Sequence, residues 1–126
     1  MSCNGVYDRK AFGPGKLLIC PGDPPYHAYL IQAGRARVFA DVAGERVEIA
    51  EIGAGEIVGD MALIRKSRHH YGVQAIETVV AVVVSVQQIQ ALVDQADPLL
   101  RTILRGLVER VDRLNNEKQP GEIWFV

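Results

Sequence analysis

The sequence predicts a mainly β domain with C-terminal helices, an eight-stranded antiparallel jelly roll with one short internal helix and one long terminal helix. Three observations predict it. From Phe12 to Val86, short apolar runs recur between Gly/Pro turns about every 8–12 residues, the mark of a sandwich or barrel. After Val86 the apolar period changes from 2 to 3.6. Between the strands, Gly53 to Ala75 inserts a glycine turn, one helical turn and a cationic loop. With 126 residues the chain fits one domain, able to bury roughly two thirds of its unfolded surface. A hydrophobic content of 48% with 23% charged residues is that of an ordinary globular chain. The formal net charge of −1 gives no global attraction to DNA or to anionic membranes.

The polar stretch 1–11 lacks a pattern apart from Val6 and Tyr7 and is expected to be an N-terminal arm. The domain proper is expected over 12–116, with the jelly roll at 12–86, helices at 87–116 and a tail at 117–126. Leu17 to Cys20 is a strand ended by Pro21-Gly22-Asp23-Pro24-Pro25, whose prolines remove ladder donors. His27 to Gln32 is the next strand, turning at Ala33-Gly34. Arg35 to Val42 has two mixed faces; after Ala43-Gly44, Val47 to Ile52 returns as its hairpin partner, with Val47 and Ile49 on one face. Beyond the insertion, Tyr71 to Ala75 makes one strand and Val79 to Val86 another. The latter is apolar on both faces and therefore expected at the centre of a sheet.

Gln87 to Ala96 is a short helix with Ile89, Leu92 and Val93 together. Asp97-Pro98 restarts the chain as N-cap and first helical residue of a helix running to about Asn116. Leu100, Leu104, Leu107, Val111 and Leu114 lie at spacings of 4, 3, 4 and 3, the a/d pattern of a coiled-coil seam. Leu99, Ile103 and Val108 broaden that stripe toward the barrel. The seam could pack only on the barrel, but its heptad spacing favours a homodimer. Cys3 and Cys20 lack metal-type spacing, which favours reduced, structural thiols. With no basic leader before an apolar core and no long apolar run, the expected location is the cytoplasm, away from membranes.

The chemistry concentrates between Gly53 and Ala75. Gly53-Ala54-Gly55 leads into Glu56-Ile57-Val58; Gly59-Asp60 opens Met61-Ala62-Leu63-Ile64, followed by Arg65-Lys66-Ser67-Arg68-His69-His70. Free N–H groups at a helix start attract an anion, and glycine lets it approach the backbone. Asp60 has a plain alternative role as N-cap of the turn, and the cationic loop could be only solvated charge. Gly-Asp-Met-Ala-Leu after a Gly-x-Gly-Glu turn, with Phe12-x-Pro14-Gly15, Pro21-Gly22-Asp23 and Tyr29-Leu30-Ile31 before Gly34, resembles the cyclic nucleotide-binding domain family over roughly 12–115. This resemblance implies a ligand site at Gly59, Asp60, Met61, Ala62, Leu63, Arg68, His69 and His70. In the family's pattern a glutamate holding the ribose hydroxyl falls on Asp60, and the phosphate arginine falls on His69 at the commonest spacing, with Arg68 one residue early. His70 and Tyr71 stand where the family has Ser/Thr and Ala.

The implied ligand is cyclic AMP or cyclic GMP, bound weakly, and the implied role is a stand-alone sensor that signals through its last helix to a separate output protein. The alternative is a degenerate module that binds no nucleotide and serves dimerisation. A weaker third reading is a jelly-roll sensor or enzyme for another small anion. A metal site is disfavoured because adjacent histidines on a strand point to opposite faces and His27 is distant in sequence. No nucleophile elbow or phosphate-binding glycine loop supports an enzyme. DNA binding by this chain is not expected, since only about a dozen residues follow the long helix, too few for a helix-turn-helix.

Overall fold

The computed structural model describes residues 7–116. In chain order the elements are β1 (Asp8–Phe12), β2 (Leu17–Ile19), β3 (His27–Ala33), β4 (Ala36–Val42), β5 (Glu45–Ile52), β6 (Ile57–Val58), α1 (Asp60–Arg65), β7 (Gly72–Ala75), β8 (Val79–Ser85), α2 (Val86–Gln95) and α3 (Pro98–Asn116). Two four-stranded antiparallel sheets, ordered β1-β8-β3-β6 and β2-β7-β4-β5, face one another. Phe12, Ile31, Val38, Val73 and Val79 are among the side chains that fill the space between them. This is the expected jelly roll.

β8 lies between β1 and β3, as its apolar composition required. The arm needs correction. Residues 8–11 belong to β1, which pairs with β8 in the register Asp8↔Val83 to Phe12↔Val79. Residues 8–11 are exposed and the first three are charged, so the strand is held by backbone bonds that leave no hydrophobic alternation to read. The tail at 117–126, with Trp124, lies outside the described residues, as do residues 1–6 and with them Cys3. Cys20 is a free, half-buried thiol.

The β4–β5 hairpin carries a bulge. Pairing slips between Val38↔Ala50 and Phe39↔Glu48, so Ile49 is an extra residue in β5. Val38 and Phe39 are both fully buried although adjacent, because β4 is covered on both faces there: Val38 joins the core between the sheets, and Phe39 packs against Gly72 with the Arg46 guanidinium 4.0 Å over its ring. The same bulge breaks the expected Val47–Ile49 face, and Val47 is exposed. The hairpin closes through Ala43 (φ 51°) and Gly44 (φ 82°), a two-residue turn with both dihedrals left-handed. Alanine in that region is strained by roughly 1–2 kcal/mol. Ala43→Gly should therefore raise unfolding free energy by about 0.5–1 kcal/mol, read from the urea midpoint at unchanged slope. An unchanged or lower midpoint would mean that the turn relaxes without strain.

α2 begins with a reciprocal capping box: the Gln88 N–H donates to Ser85 Oγ at 3.1 Å, and the Ser85 N–H donates to Gln88 Oε1 at 2.8 Å. α3 begins as expected, with the Leu99 N–H donating to the Asp97 carboxylate at 2.8 Å. No helix among the described residues is long and apolar enough to cross a membrane.

Candidate ligand-binding site

β6 delivers the chain to Gly59, whose φ of 84° marks the left-handed region. A Cβ at Gly59 would lie 2.9 Å from Ile19 Cδ1, 3.0 Å from His69 Cε1 and 3.1 Å from the His27 carbonyl oxygen. Only glycine fits this conformation and this crowding. Gly59 is also the cap residue of α1, and no side chain caps that helix. The N-cap alternative for Asp60 is thereby corrected: Asp60 is the first helical residue, which leaves its carboxylate without that structural duty. Burial raises the Asp60 carboxyl above its ordinary value, opposed by the N–H groups of Asp60 and Met61 and by the charge of Arg65. A desolvated acid without a capping duty is a functional-site signal.

Met61, Ala62 and Leu63 are buried and anchor α1 to the barrel. α1 ends at Lys66 in a left-handed conformation (φ 60°), from which the loop turns back. His69 is buried and His70 exposed; neither lies on a strand as expected, since β7 starts at Gly72. The His69 backbone is clamped: its N–H donates to the Asp23 carbonyl at 3.0 Å, and its carbonyl accepts from the Gly22 N–H at 2.7 Å. Arg68 Nη1 donates to the Gly22 carbonyl at 2.8 Å, so the exposed guanidinium keeps donors for a ligand. The Pro21-Gly22-Asp23 turn thus fixes the cationic loop.

Gly59, Met61, Ala62, Arg68, His69 and His70 line one cleft, together with Ile19, Arg65 and Tyr71. Asp60 and Leu63 are not among its walls. The cleft measures only about 20 Å³, room for about one water and far too little for a nucleotide. The residues predicted to bind phosphate are together, but His69 and Ile19 crowd the space beside Gly59. A nucleotide therefore requires rearrangement of those side chains. On the other side of His69, Asp23, Tyr26, His27 and Tyr29 border a cavity of about 250 Å³. His27 is distant in sequence yet adjacent in space because β3 starts beside the cassette loop. Among the described residues, no group of three or more His, Cys, Asp or Glu is placed to hold a metal.

Residues 9–96 match the family model described as the cyclic nucleotide-binding domain. The chain belongs to the cyclic nucleotide-binding domain family. It is 31% identical over 115 residues to the acetyltransferase Pat of Mycolicibacterium smegmatis, covering 89% of this chain and 34% of that protein. It superposes on the cAMP-bound form of the EAL enzyme Bd1971 with a TM-score of 0.77 and 29% identity, over 86% of this chain and 29% of that one. Against the Thermus thermophilus catabolite activator protein the TM-score is 0.73 at 25% identity, over 87% and 52% of the two chains. This cyclic nucleotide-binding domain thus spans about a third of the acetyltransferase it matches.

Sequence reasoning missed Arg65 as a participant. Arg65 lines the cleft, and its Nε sits 3.0 Å from the Asp112 carboxylate of α3. The pair joins the cassette to the last helix across 47 residues, a link no local pattern shows. Burial pushes the His69 imidazole down from its ordinary 6.5, with the charges of His27 and His70 in the same direction and that of Asp23 opposed. The unfolded chain takes up this proton near pH 6.5 while the folded protein resists it, so stability falls as pH drops below about 6.5. His69→Gln should flatten that decline in melting temperature between pH 7 and pH 5. The same slope in the variant would assign the pH sensitivity elsewhere.

Proposed function

We propose that this cyclic nucleotide-binding domain is a regulatory sensor that binds a cyclic nucleoside monophosphate weakly and passes the change to a partner through α3. The observation that carries this reading is the convergence of the left-handed Gly59, Met61 and Ala62 of the α1 turn, and the side chains of Arg65, Arg68, His69 and His70 on one cleft, with the buried Asp60 next to Gly59 in the chain. In this reading Asp60 accepts from the ribose hydroxyl, the Met61–Leu63 turn faces the phosphate, and Arg68 supplies the cation. His69 and His70 border the phosphate, with the His69 ring moving aside. The relatives in which this domain makes up a minority of the chain support a regulatory role attached to a separate output. The Arg65–Asp112 pair supports α3 as the element that responds.

The second reading, a dimerising module without nucleotide, is favoured by the 20 Å³ cleft and by the histidine in the arginine's place. Calorimetry with cyclic AMP and cyclic GMP separates the two. A charge-assisted hydrogen bond contributes roughly 1.5–3 kcal/mol, so its loss weakens binding about ten- to hundred-fold relative to a full motif. The expected dissociation constant is micromolar or weaker. Arg68→Ala should weaken it a further ten- to hundred-fold, and Arg65→Ala less, because Arg65 is already paired with Asp112. No heat with either nucleotide at millimolar concentration would select the second reading. Equal losses for the two arginines would reduce the site to general loop charge.

A further inference from the structure

α3 has two faces. Leu99, Leu100, Ile103, Leu107 and Leu114 are exposed, whereas Leu104 turns toward α1 and α2. Between these three helices lies a groove of about 210 Å³. Leu63, Ile64, Ile89 and Leu104 make its floor. Lys66, Arg101 and Arg105 stand around it, and Gln90 is its neutral polar wall. No carboxylate lines it.

The charges are what distinguish this groove from ordinary gaps between helices. Among the described residues, none of the three cations forms an ion pair or donates a side-chain hydrogen bond. Arg101 is nevertheless partly buried. Cations gathered beside apolar surface repel one another unless an anion joins them. Lys66 reaches this position through a left-handed backbone (φ 60°), one of only two such non-glycine residues among those described. Arginine forks suit the oxygens of a carboxylate or phosphate, and the floor suits an alkyl chain.

We propose that the groove between α1, α2 and α3 binds a small amphiphilic anion, a short aliphatic chain ending in a carboxylate or phosphate. At about 210 Å³ the groove exceeds an apolar cavity of about 150 Å³ that takes up benzene, so it has room for a tail of about six to eight carbons. A partner helix is too wide for such a cavity, being about 10 Å across. The site is separate from the nucleotide cleft, because Leu63 and Lys66 line the groove and neither lines the cleft. It also lies across α3 from the exposed leucine stripe.

The test is titration of the ¹⁵N-labelled protein with octanoate, octyl phosphate and octanol, read as amide shifts. Saturable shifts centred on Lys66, Ile89, Gln90 and Arg105 are expected for the two anions. Octanol should bind at least tenfold more weakly. Arg101→Gln with Arg105→Gln should weaken the anions at least tenfold while leaving octanol unchanged. These substitutions are on the groove's wall and not in the barrel, so near-native spectra are expected. The relative strength of octanoate and octyl phosphate tells which head group the arginines prefer. No saturable shift at millimolar octanoate, equal binding of octanol, or anion binding unaffected by the double change would overturn the proposal. Shifts centred on Leu100 and Leu107 instead would also overturn it and assign the effect to the outer stripe.

Discussion

Changing Ile103 and Leu107 together to glutamate should convert the dimer we propose into a folded monomer. The sequence places the seam at Leu100, Leu104, Leu107, Val111 and Leu114. The structure divides that set: Leu104 and Val111 are partly buried, with Leu104 in the groove, while Leu100, Leu107 and Leu114 remain 45–48% exposed. Leu99 and Ile103, expected to broaden the barrel contact, are instead 67% and 47% exposed. We therefore propose the dimer face as Leu99, Leu100, Ile103, Leu107 and Leu114. Fully burying a side chain of this size stabilises by about 1.5–3 kcal/mol; these are about half exposed, so each would contribute about half of that. Five per copy would offset an association cost of about 4–15 kcal/mol and leave a dimer of modest affinity. Two-fold symmetry lets the stripe meet its own copy. Two glutamates at mid-stripe would put like charges across the axis. Light scattering after size exclusion at tens of micromolar should show the wild type at twice the chain mass and the double variant at once. A monomeric wild type would remove the dimer and leave the stripe unpartnered in this protein.

Gly34→Ala should be the most damaging single methyl in the described chain. Gly34 has φ 88°, and a Cβ there would sit 2.1 Å from the Thr78 carbonyl oxygen and 2.9 Å from Val79 Cα. Both obstacles are backbone and cannot rotate away. Thr78 leads directly into β8, the strand that both β1 and β3 pair with, so relief of the clash would displace the centre of one sheet. Backbone strain contributes roughly 1–3 kcal/mol and overpacking a similar amount, giving about 3 kcal/mol or more. Gly44→Ala is the matched control, with φ 82° and nothing within 4 Å of the new methyl. It should cost only the strain, about 1–2 kcal/mol. Urea unfolding of the pair checks this. Equal losses would show that the Thr78 contact relaxes and that dihedral strain alone matters.

The sequence by itself determined the fold class, because alternation, Gly/Pro turns and the switch to a helical period are local consequences of burying one face. The composition of Val79–Ser85 was enough to put β8 in the middle of its sheet. Asp97-Pro98 was enough to start α3, and Ser85-x-x-Gln88 carries a local capping-box signal for α2. The cassette residues were found because glycine, acid and loop cations are contiguous. Other features were beyond local pattern. β1 is held by backbone bonds to β8, which leave no mark on side-chain type. The Ile49 bulge depends on pairing register, which no single strand contains. Heptad spacing shows that one side of α3 is apolar, but which leucines face α1 and which face water depends on how the helix is rotated against the barrel. Arg65 meeting Asp112, His27 meeting His69, and the three cations meeting over one apolar floor all join elements far apart in sequence. Only the packing of sheets and helices in space brings those groups within reach.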